Sequence, residues 1–272
     1  MPPDAKPSLT IVLPAFNEAE RIGPALDELF GYLERSGPAR EGARPASDLG
    51  RWDVLVVDDG STDDTEAIVS ARPETKPAED GSPPRLRILH RPHEGKGAAV
   101  RAGVLHSSGD LVAFADADMA TPPDQLPFLT EALATSEVAL GSRVQPDGTD
   151  RRASQPLHRQ VLGRFFHLLS GAWVTGNVPD TQCGFKGFTS EAGKDLFERQ
   201  RITSIVFDAE LIHLARRRGY RIAIVPVQWS DRRGSRMRVR AGLAFQVAWD
   251  LFRIPLVHRK VGRAPQPYTA RR

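Results

Sequence analysis

Ala113-Phe-Ala-Asp-Ala-Asp-Met-Ala-Thr121 joins the end of an apolar run to two carboxylates one residue apart, Asp116 and Asp118. The run begins at Asp110-Leu-Val-Ala and reads as a buried strand, which Pro122-Pro123 stops before opening a helix. Two acids at the carboxyl end of such a strand repel each other and lose hydration. A divalent cation is the usual compensation. Oxygen ligands suit Mg2+ or Mn2+, ions commonly shared with substrate phosphates. The plainer alternative is that both acids are solvated in a loop, or that Asp118 caps the following helix.

Working outward from this stretch, strand and helix patterns alternate. Residues 9–13 form a short β-branched run, and Ile22, Leu26, Leu29 and Leu33 follow at helical spacing. Residues 54–57 are a second strand running into Asp58-Asp59-Gly-Ser-Thr-Asp63, where Ser61 or Thr62 can cap the next helix. Asp59 and Asp63 fit capping as well. Residues 86–90 are a third strand, after which Glu94-Gly-Lys-Gly97 opens a helix; 138–141 are a fifth strand, ending just before Arg143. The Gly/Pro-rich segments 36–51 and 72–85 read as surface excursions. This alternation predicts an α/β fold, a mostly parallel central sheet with helices on both faces. Such sheets bind ligands beyond the carboxyl ends of their strands. Asn17/Glu18, Asp58/Asp59, Lys96 and Asp116/Asp118 all fall there.

The second half is less regular. Residues 157–173 read as a helix carrying Arg159 and Arg164, after a polar segment 144–156. Helices are also expected near 190–199 and from Phe207 to Gly219, with a strand at 220–225, a basic loop at 229–236 and a last helix at 239–257 in which Pro255 is a kink or a stop.

Composition bounds the class. The chain has 272 residues, 40% hydrophobic and 26% charged, enough for a sizeable core in a water-soluble domain. Cys183 is the single cysteine, which excludes an internal disulfide and a cysteine-rich zinc site and fits a reducing cytosol. No signal peptide or transmembrane helix is expected, because no apolar run approaches the required length of about 18 residues. The net charge is only +3, but residues 231–263 hold nine Lys/Arg against two Asp, a local +7 that points to an anionic partner. Nucleic acid is not expected, since aromatic residues do not interleave with these charges as on a single-strand platform.

Five segments, Pro14-Ala-Phe-Asn-Glu18, Val56-Val-Asp-Asp-Gly-Ser-Thr62, Phe114-Ala-Asp-Ala-Asp118, Gly141-Ser-Arg143 and Asp180-Thr-Gln-Cys-Gly-Phe-Lys186, occur together and in order. As a set they resemble a family 2 glycosyltransferase, nearest the polyprenyl-phosphate sugar synthases of the dolichyl-phosphate β-glucosyltransferase type. The resemblance implies a single Rossmann-like GT-A domain over residues 9–236, with a nucleotide-sugar half at 9–142 and an acceptor half at 143–236. Residues 1–8 are then a disordered lead, and 237–272 an amphipathic helix with a basic tail. It also implies an inverting transfer of a hexose, glucose first, from a nucleoside diphosphate sugar such as UDP-glucose to a polyprenyl phosphate, with a divalent metal.

The resemblance gives Asp118 the closer metal contact and Asp116 a place near the metal or ribose. Pro14, Ala15, Glu18 and Asp58 fall to the nucleotide. Gly95-Lys96-Gly97 at a helix start suits an anion, through backbone N–H groups and the Lys96 ammonium. Arg143, Arg159 and Arg164 are candidates for the acceptor phosphate, with Arg236 in the basic loop, because guanidinium forks match phosphate. Asp208 and Glu210 stand where a hydroxyl acceptor would require a base. With a phosphate acceptor they would instead orient Lys186 or the arginines, as would Asp180. Cys183 fits a small buried residue better than a nucleophile. Relatives with C-terminal membrane helices differ from this chain. Here the wide apolar face of the last helix suits an anionic membrane surface on the cytoplasmic side, or packing on its own core or in a homodimer. Two competing readings remain: a family 2 transferase with a soluble hydroxyl acceptor, and a non-catalytic nucleotide-sugar-binding module.

Overall fold

A computed structural model describes residues 6–35, 49–150, 171–176, 178–230 and 241–264. The expectations for 1–5, 36–48, 151–170, 231–240 and 265–272, and with them Arg159, Arg164 and Arg236, lie outside the described residues.

Seven strands form one sheet: β1 (Leu9–Ala15), β2 (Trp52–Asp58), β3 (Leu86–His90), β4 (Leu111–Ala115), β5 (Val138–Ser142), β6 (Phe185–Thr189) and β7 (Ile222–Pro226). Their spatial order is β3-β2-β1-β4-β6-β5-β7, and only β6 runs antiparallel to its neighbours. The parallel strands are continuous apolar runs because both faces of the sheet are covered. Alternation along each strand divides the core. Ile11, Leu13, Val54 and Val56 pack toward α1 (Ala19–Leu33), while Val12, Leu55, Val57 and Phe114 pack on the other face. That second face is covered by α3 (Lys96–Leu105), α5 (Ser190–Arg199) and α6 (Phe207–Arg218). Two shorter helices, α2 (Thr65–Ser70) and α4 (Leu126–Leu133), complete the layers before the last helix, α7 (Ala241–Val257).

The α/β layout and the predicted α1 face are as expected: Ile22, Leu26, Leu29 and Leu33 are all buried. Gly219 ends α6 in a left-handed conformation at φ 81°, with Tyr220 N–H bonded back to Ala215 O. Three readings need correction. No strand was expected at β6, yet it is the inner strand between β4 and β5; its Lys186 and Gly187 break the apolar pattern. Ser61 and Thr62 do not cap α2. The cap position is Asp64, whose side chain makes no cap hydrogen bond; Asp63 accepts from Thr65 N–H at 3.1 Å, while Ser61 Oγ accepts from Asn17 N–H. The last helix does run to Val257 as expected, with Pro255 inside it, so of the two alternatives the stop is excluded. Asp250, which helical spacing sets on a narrow polar stripe with Gln246 and Arg253, turns inward instead. It is buried and accepts from Ser204 Oγ at 2.7 Å, beside Leu251 and Ile254, which join a small core with Val174, Ile202, Val206 and Ala209.

The contact of α3 with the sheet depends on a missing side chain. A Cβ on Gly103 would stand 2.3 Å from Val12 Cγ1 and 3.0 Å from Val57 Cγ2. Gly103→Ala is therefore expected to lower stability by about 1–3 kcal/mol through overpacking. Exposed Gly31 in α1 has nothing within 4 Å of such an atom, so Gly31→Ala should raise stability by about 0.5–1 kcal/mol. Urea midpoints of the two variants check this pair of opposite signs.

Candidate active site

The β4–α4 turn carries Asp116 and Asp118. Met119 takes a left-handed φ of 50°, and its N–H bonds back to Asp116 O at 3.1 Å. Asp118 Oδ1 accepts from Ala120 N–H at 3.0 Å, and Oδ2 lies 3.9 Å from Arg21 Nη1. Both carboxylates stay partly accessible, 36% for the Asp116 side chain and 24% for Asp118. Burial and the Asp116 charge push the Asp118 pKa up, against the pull of Ala120 N–H, Arg21 and Lys96. Asp116 packs against Gly184, where a Cβ would fall 2.1 Å from Asp116 Oδ2. That close approach explains the glycine in Asp180-Thr-Gln-Cys-Gly-Phe-Lys186.

A chain of alternating charges leads inward from Asp116. Its Oδ1 holds the Lys96 ammonium from the first residue of α3. Burial opposes that ammonium, but the charges of Asp116 and Asp208 raise its pKa overall. Asp208 on α6 accepts from Lys186 Nζ at 2.7 Å, and Lys186, with no exposure, also donates to Cys183 O at 2.6 Å. Burial pushes the Asp208 pKa up against the opposing pull of Lys186 and Lys96. Three carboxylates, Asp116, Asp118 and Asp208, thus gather beside Lys96 and Lys186, and the outer two present oxygen donors of the kind hard cations prefer. The residues present fit a divalent ion at Asp116 and Asp118.

Arg143 follows β5 and is fixed by Asp180. Backbone N–H and Nε donate to Oδ2 at 2.9 and 2.7 Å, and Nη2 donates to Oδ1 at 2.8 Å. Its guanidinium also lies over the Trp229 ring, 5.6 Å from the centroid, and within electrostatic reach of Asp116. Burial pushes the Cys183 thiol up to about 12, with the Asp180 charge adding to the shift, so it stays protonated near neutrality.

On the other side of Asp118, the loops after β1 and β2 stitch together. Ala15 O accepts from Asp59 N–H, and Thr62 N–H donates to Asn17 Oδ1. Glu18 pairs with Arg21, a residue not singled out in the sequence although its i,i+3 spacing from Glu18 signals the pair. Asp58 accepts from Ser61 N–H at 3.1 Å and faces His90 Nδ1 at 3.4 Å. Asp58, Glu66 and His90 bring three ligand-type atoms within 4.8 Å of one another. The imidazole turns one nitrogen toward each acid, which suits a hydrogen-bonded bridge more than a chelate.

Three expectations are not met. The glycines flanking Lys96 do not offer a backbone anion cradle. Asp59 accepts from Glu94 and Gly95 N–H, and Thr203 O accepts from Gly97 N–H. Asp59 therefore secures the entry to α3 rather than capping α2. Glu210 does not orient Lys186 or an arginine among the described residues. It is fully buried, accepts from Arg201 and Ile202 N–H at 2.8 Å each, and meets His258 Nε2 at 2.6 Å. His258, which no sequence motif marks, ties the end of α7 to α6.

The profile described as Glycosyl transferase family 2 matches residues 10–197. A dolichyl-phosphate beta-glucosyltransferase of Trichomonas vaginalis is 37% identical over 92% of this chain and 71% of its own length. The Homo sapiens protein of that name is 31% identical over 84% of this chain and 69% of its own. Among solved structures, glucosyl-3-phosphoglycerate synthase from Mycobacterium tuberculosis in complex with UDP gives a TM-score of 0.61 at 20% identity, covering 96% of this chain and 82% of that one. Its complex with Mn2+ and UDP-glucose gives 0.60 at 20% identity, covering 92% and 79%. The architecture is thus the GT-A fold that the motifs led us to expect. The family match and the similarity over most of the chain agree: it is a glycosyltransferase belonging to glycosyl transferase family 2, alongside the dolichyl-phosphate beta-glucosyltransferases.

Proposed function

We propose that the chain moves glucose from a nucleoside diphosphate glucose, UDP-glucose first, to the phosphate of a polyprenyl lipid with inversion at the anomeric carbon. The observation that carries this reading is the absence of an accessible base on α6. Asp208 is buried against Lys186, and Glu210 is occupied by two backbone N–H groups and His258. A hydroxyl acceptor needs a base in reach, whereas an ionised phosphate needs only positive charge to align it. Arg143 offers that charge, and Asp180 holds it still. The names of the relatives and the UDP-glucose bound by a structural neighbour support the same donor and acceptor.

In this reading an acceptor phosphate oxygen attacks the anomeric carbon as the bond to the diphosphate oxygen breaks. Mg2+ or Mn2+, held by Asp116 and Asp118, would supply Lewis-acid neutralisation of the departing diphosphate. Lys96 keeps Asp116 in place and adds positive charge beside the same group. Pro14 and Ala15 end β1 next to Asp58, with Ala15 in register with it; with Glu18 they form the wall assigned to base and ribose. Incubation with a panel of labelled nucleotide sugars, a prenyl phosphate and either metal tests the proposal. Glucose on the lipid phosphate is expected; glucose passing only to soluble hydroxyl acceptors would overturn the acceptor assignment.

Asp118→Asn should weaken Mn2+-dependent UDP binding by at least about tenfold while the thermal midpoint holds. Gly184→Ala should do the same indirectly, by displacing the Asp116 carboxylate. Calorimetric titration with and without Mn2+ distinguishes metal-linked loss from general loss.

Arg143→Ala should slow transfer by about 2–5 kcal/mol while leaving UDP affinity unchanged. Asp180→Asn should show the same split between turnover and UDP binding, to a smaller extent. Arg143→Lys should restore little, because an ammonium cannot reproduce the fork. Initial rates and UDP titrations of the three variants check this.

A further inference from the structure

Helix α7 has two apolar faces, and the core uses one of them. Leu251 and Ile254 turn inward with Asp250, and His258 closes onto Glu210. On the other side Trp249, Phe252, Leu256 and Val257 stand out together with Trp173 of the π-helical turn Gly171–Thr175, each between 48% and 54% exposed. Three of these rings are in contact. Trp173 stacks on Phe252 at 6.1 Å and 1°, its Nε1 donating to Phe252 O at 3.3 Å, and Trp249 meets Phe252 at 6.1 Å. A patch of this kind on a water-facing surface marks an interaction site.

Positive charge lies at one end of the patch and in the sequence ahead of the helix. Arg259, Lys260 and Arg263 are exposed just beyond it, and the sequence before the helix carries Arg232, Arg233, Arg236, Arg238 and Arg240. A second copy of the chain placed face to face would bring like charges together, which opposes self-association here. Anionic lipid headgroups are complementary, and tryptophan suits the boundary between headgroup and hydrocarbon. No helix among the described residues is long and apolar enough to cross a membrane, so the helix would lie on the surface.

The patch is also joined to the donor site. Ser204 bonds to Asp250 of α7, while Thr203 O accepts from Gly97 N–H and Gln200 Nε2 donates to Gly97 O, one residue from Lys96. We propose that the Trp173–Trp249–Phe252–Leu256–Val257 face docks the chain on an anionic lipid bilayer and so presents Lys96 and the donor to a membrane-held acceptor. The presentation rests on the polyprenyl phosphate reading.

Flotation of the full chain with phosphatidylcholine vesicles, with and without phosphatidylglycerol, at low and high salt, tests the surface. Binding to anionic vesicles at low salt should exceed that to neutral ones by at least about tenfold and fall as salt rises. Trp249→Asp/Phe252→Asp should lose that binding by a similar factor, with thermal midpoint and Mn2+–UDP affinity unchanged. Leu256→Asp, on the same face, gives an independent check. No binding by the wild type, or equal binding by the double variant, overturns the proposal. So does a wild-type dimer that floats with no vesicle and becomes monomeric in the double variant, which would assign the face to a second copy. Transfer to a short, water-soluble prenyl phosphate is measured in parallel. Turnover there without vesicle binding removes the docking surface and keeps the reaction; vesicle binding without turnover keeps the surface and removes the acceptor.

Discussion

Lys186 sits in an inner strand with no solvent exposure, and an ammonium there must be neutralised by the protein itself. Asp208 does this from α6, Lys96 on α3 lies within electrostatic reach of Asp208, and Asp116 at the end of β4 holds Lys96. Lys186 and Asp208 need each other, because a buried charge left alone costs several kcal/mol, while the partly exposed Lys96 and Asp116 carry the chain to the surface. Four elements distant in sequence are thereby held in one mutual arrangement. Replacing such a chain with apolar residues of similar volume is often neutral or stabilising, so stability alone does not explain it. Its outer end, the Asp116 carboxylate, is partly open to solvent.

Much of this arrangement is legible in the amino-acid order. The apolar runs mark six of the seven strands, and parallel topology then carries Glu18, Asp58, Lys96, Asp116 and Asp118 to one end of the strands. What escapes is β6, because Phe185-Lys-Gly-Phe-Thr189 neither alternates nor runs continuously apolar. A lysine in a central strand reads as a surface residue until its partner on another helix is known. Glu210 escapes for a related reason. It lies two residues from Asp208, but a helix turns such neighbours to different sides, and His258 forty-eight residues away settles its role. The stitching of Asn17, Ser61, Asp59 and Gly95 is equally hidden. Those side chains look like ligands because loops that hold a ligand need the same polar chemistry to hold themselves.

Arg143 and Asp180 show how a site can be firm without being closed. Three donors on one residue meet two oxygens on the other, and Trp229 lies beneath the guanidinium plane. A planar cation held on several sides loses little further freedom when an anion arrives. The partly accessible carboxylates of Asp116 and Asp118 keep room for a cation beside it.

The order of strands has a consequence for synthesis. β4 and β5 are finished by residue 142, but among the described strands β5 touches only β6 and β7, both of which come later. A nascent chain can assemble β1 to β4 as a parallel block, and β4 then shows an open edge until residues 185–189 emerge. β6 enters between two strands already made, antiparallel to both, and brings Lys186 with it. Through that interval the growing polypeptide exposes an unpaired edge, the state in which sheets are most prone to join a neighbouring chain. The facing edges of β4 and β5 are thus closed only by chain that follows both in sequence.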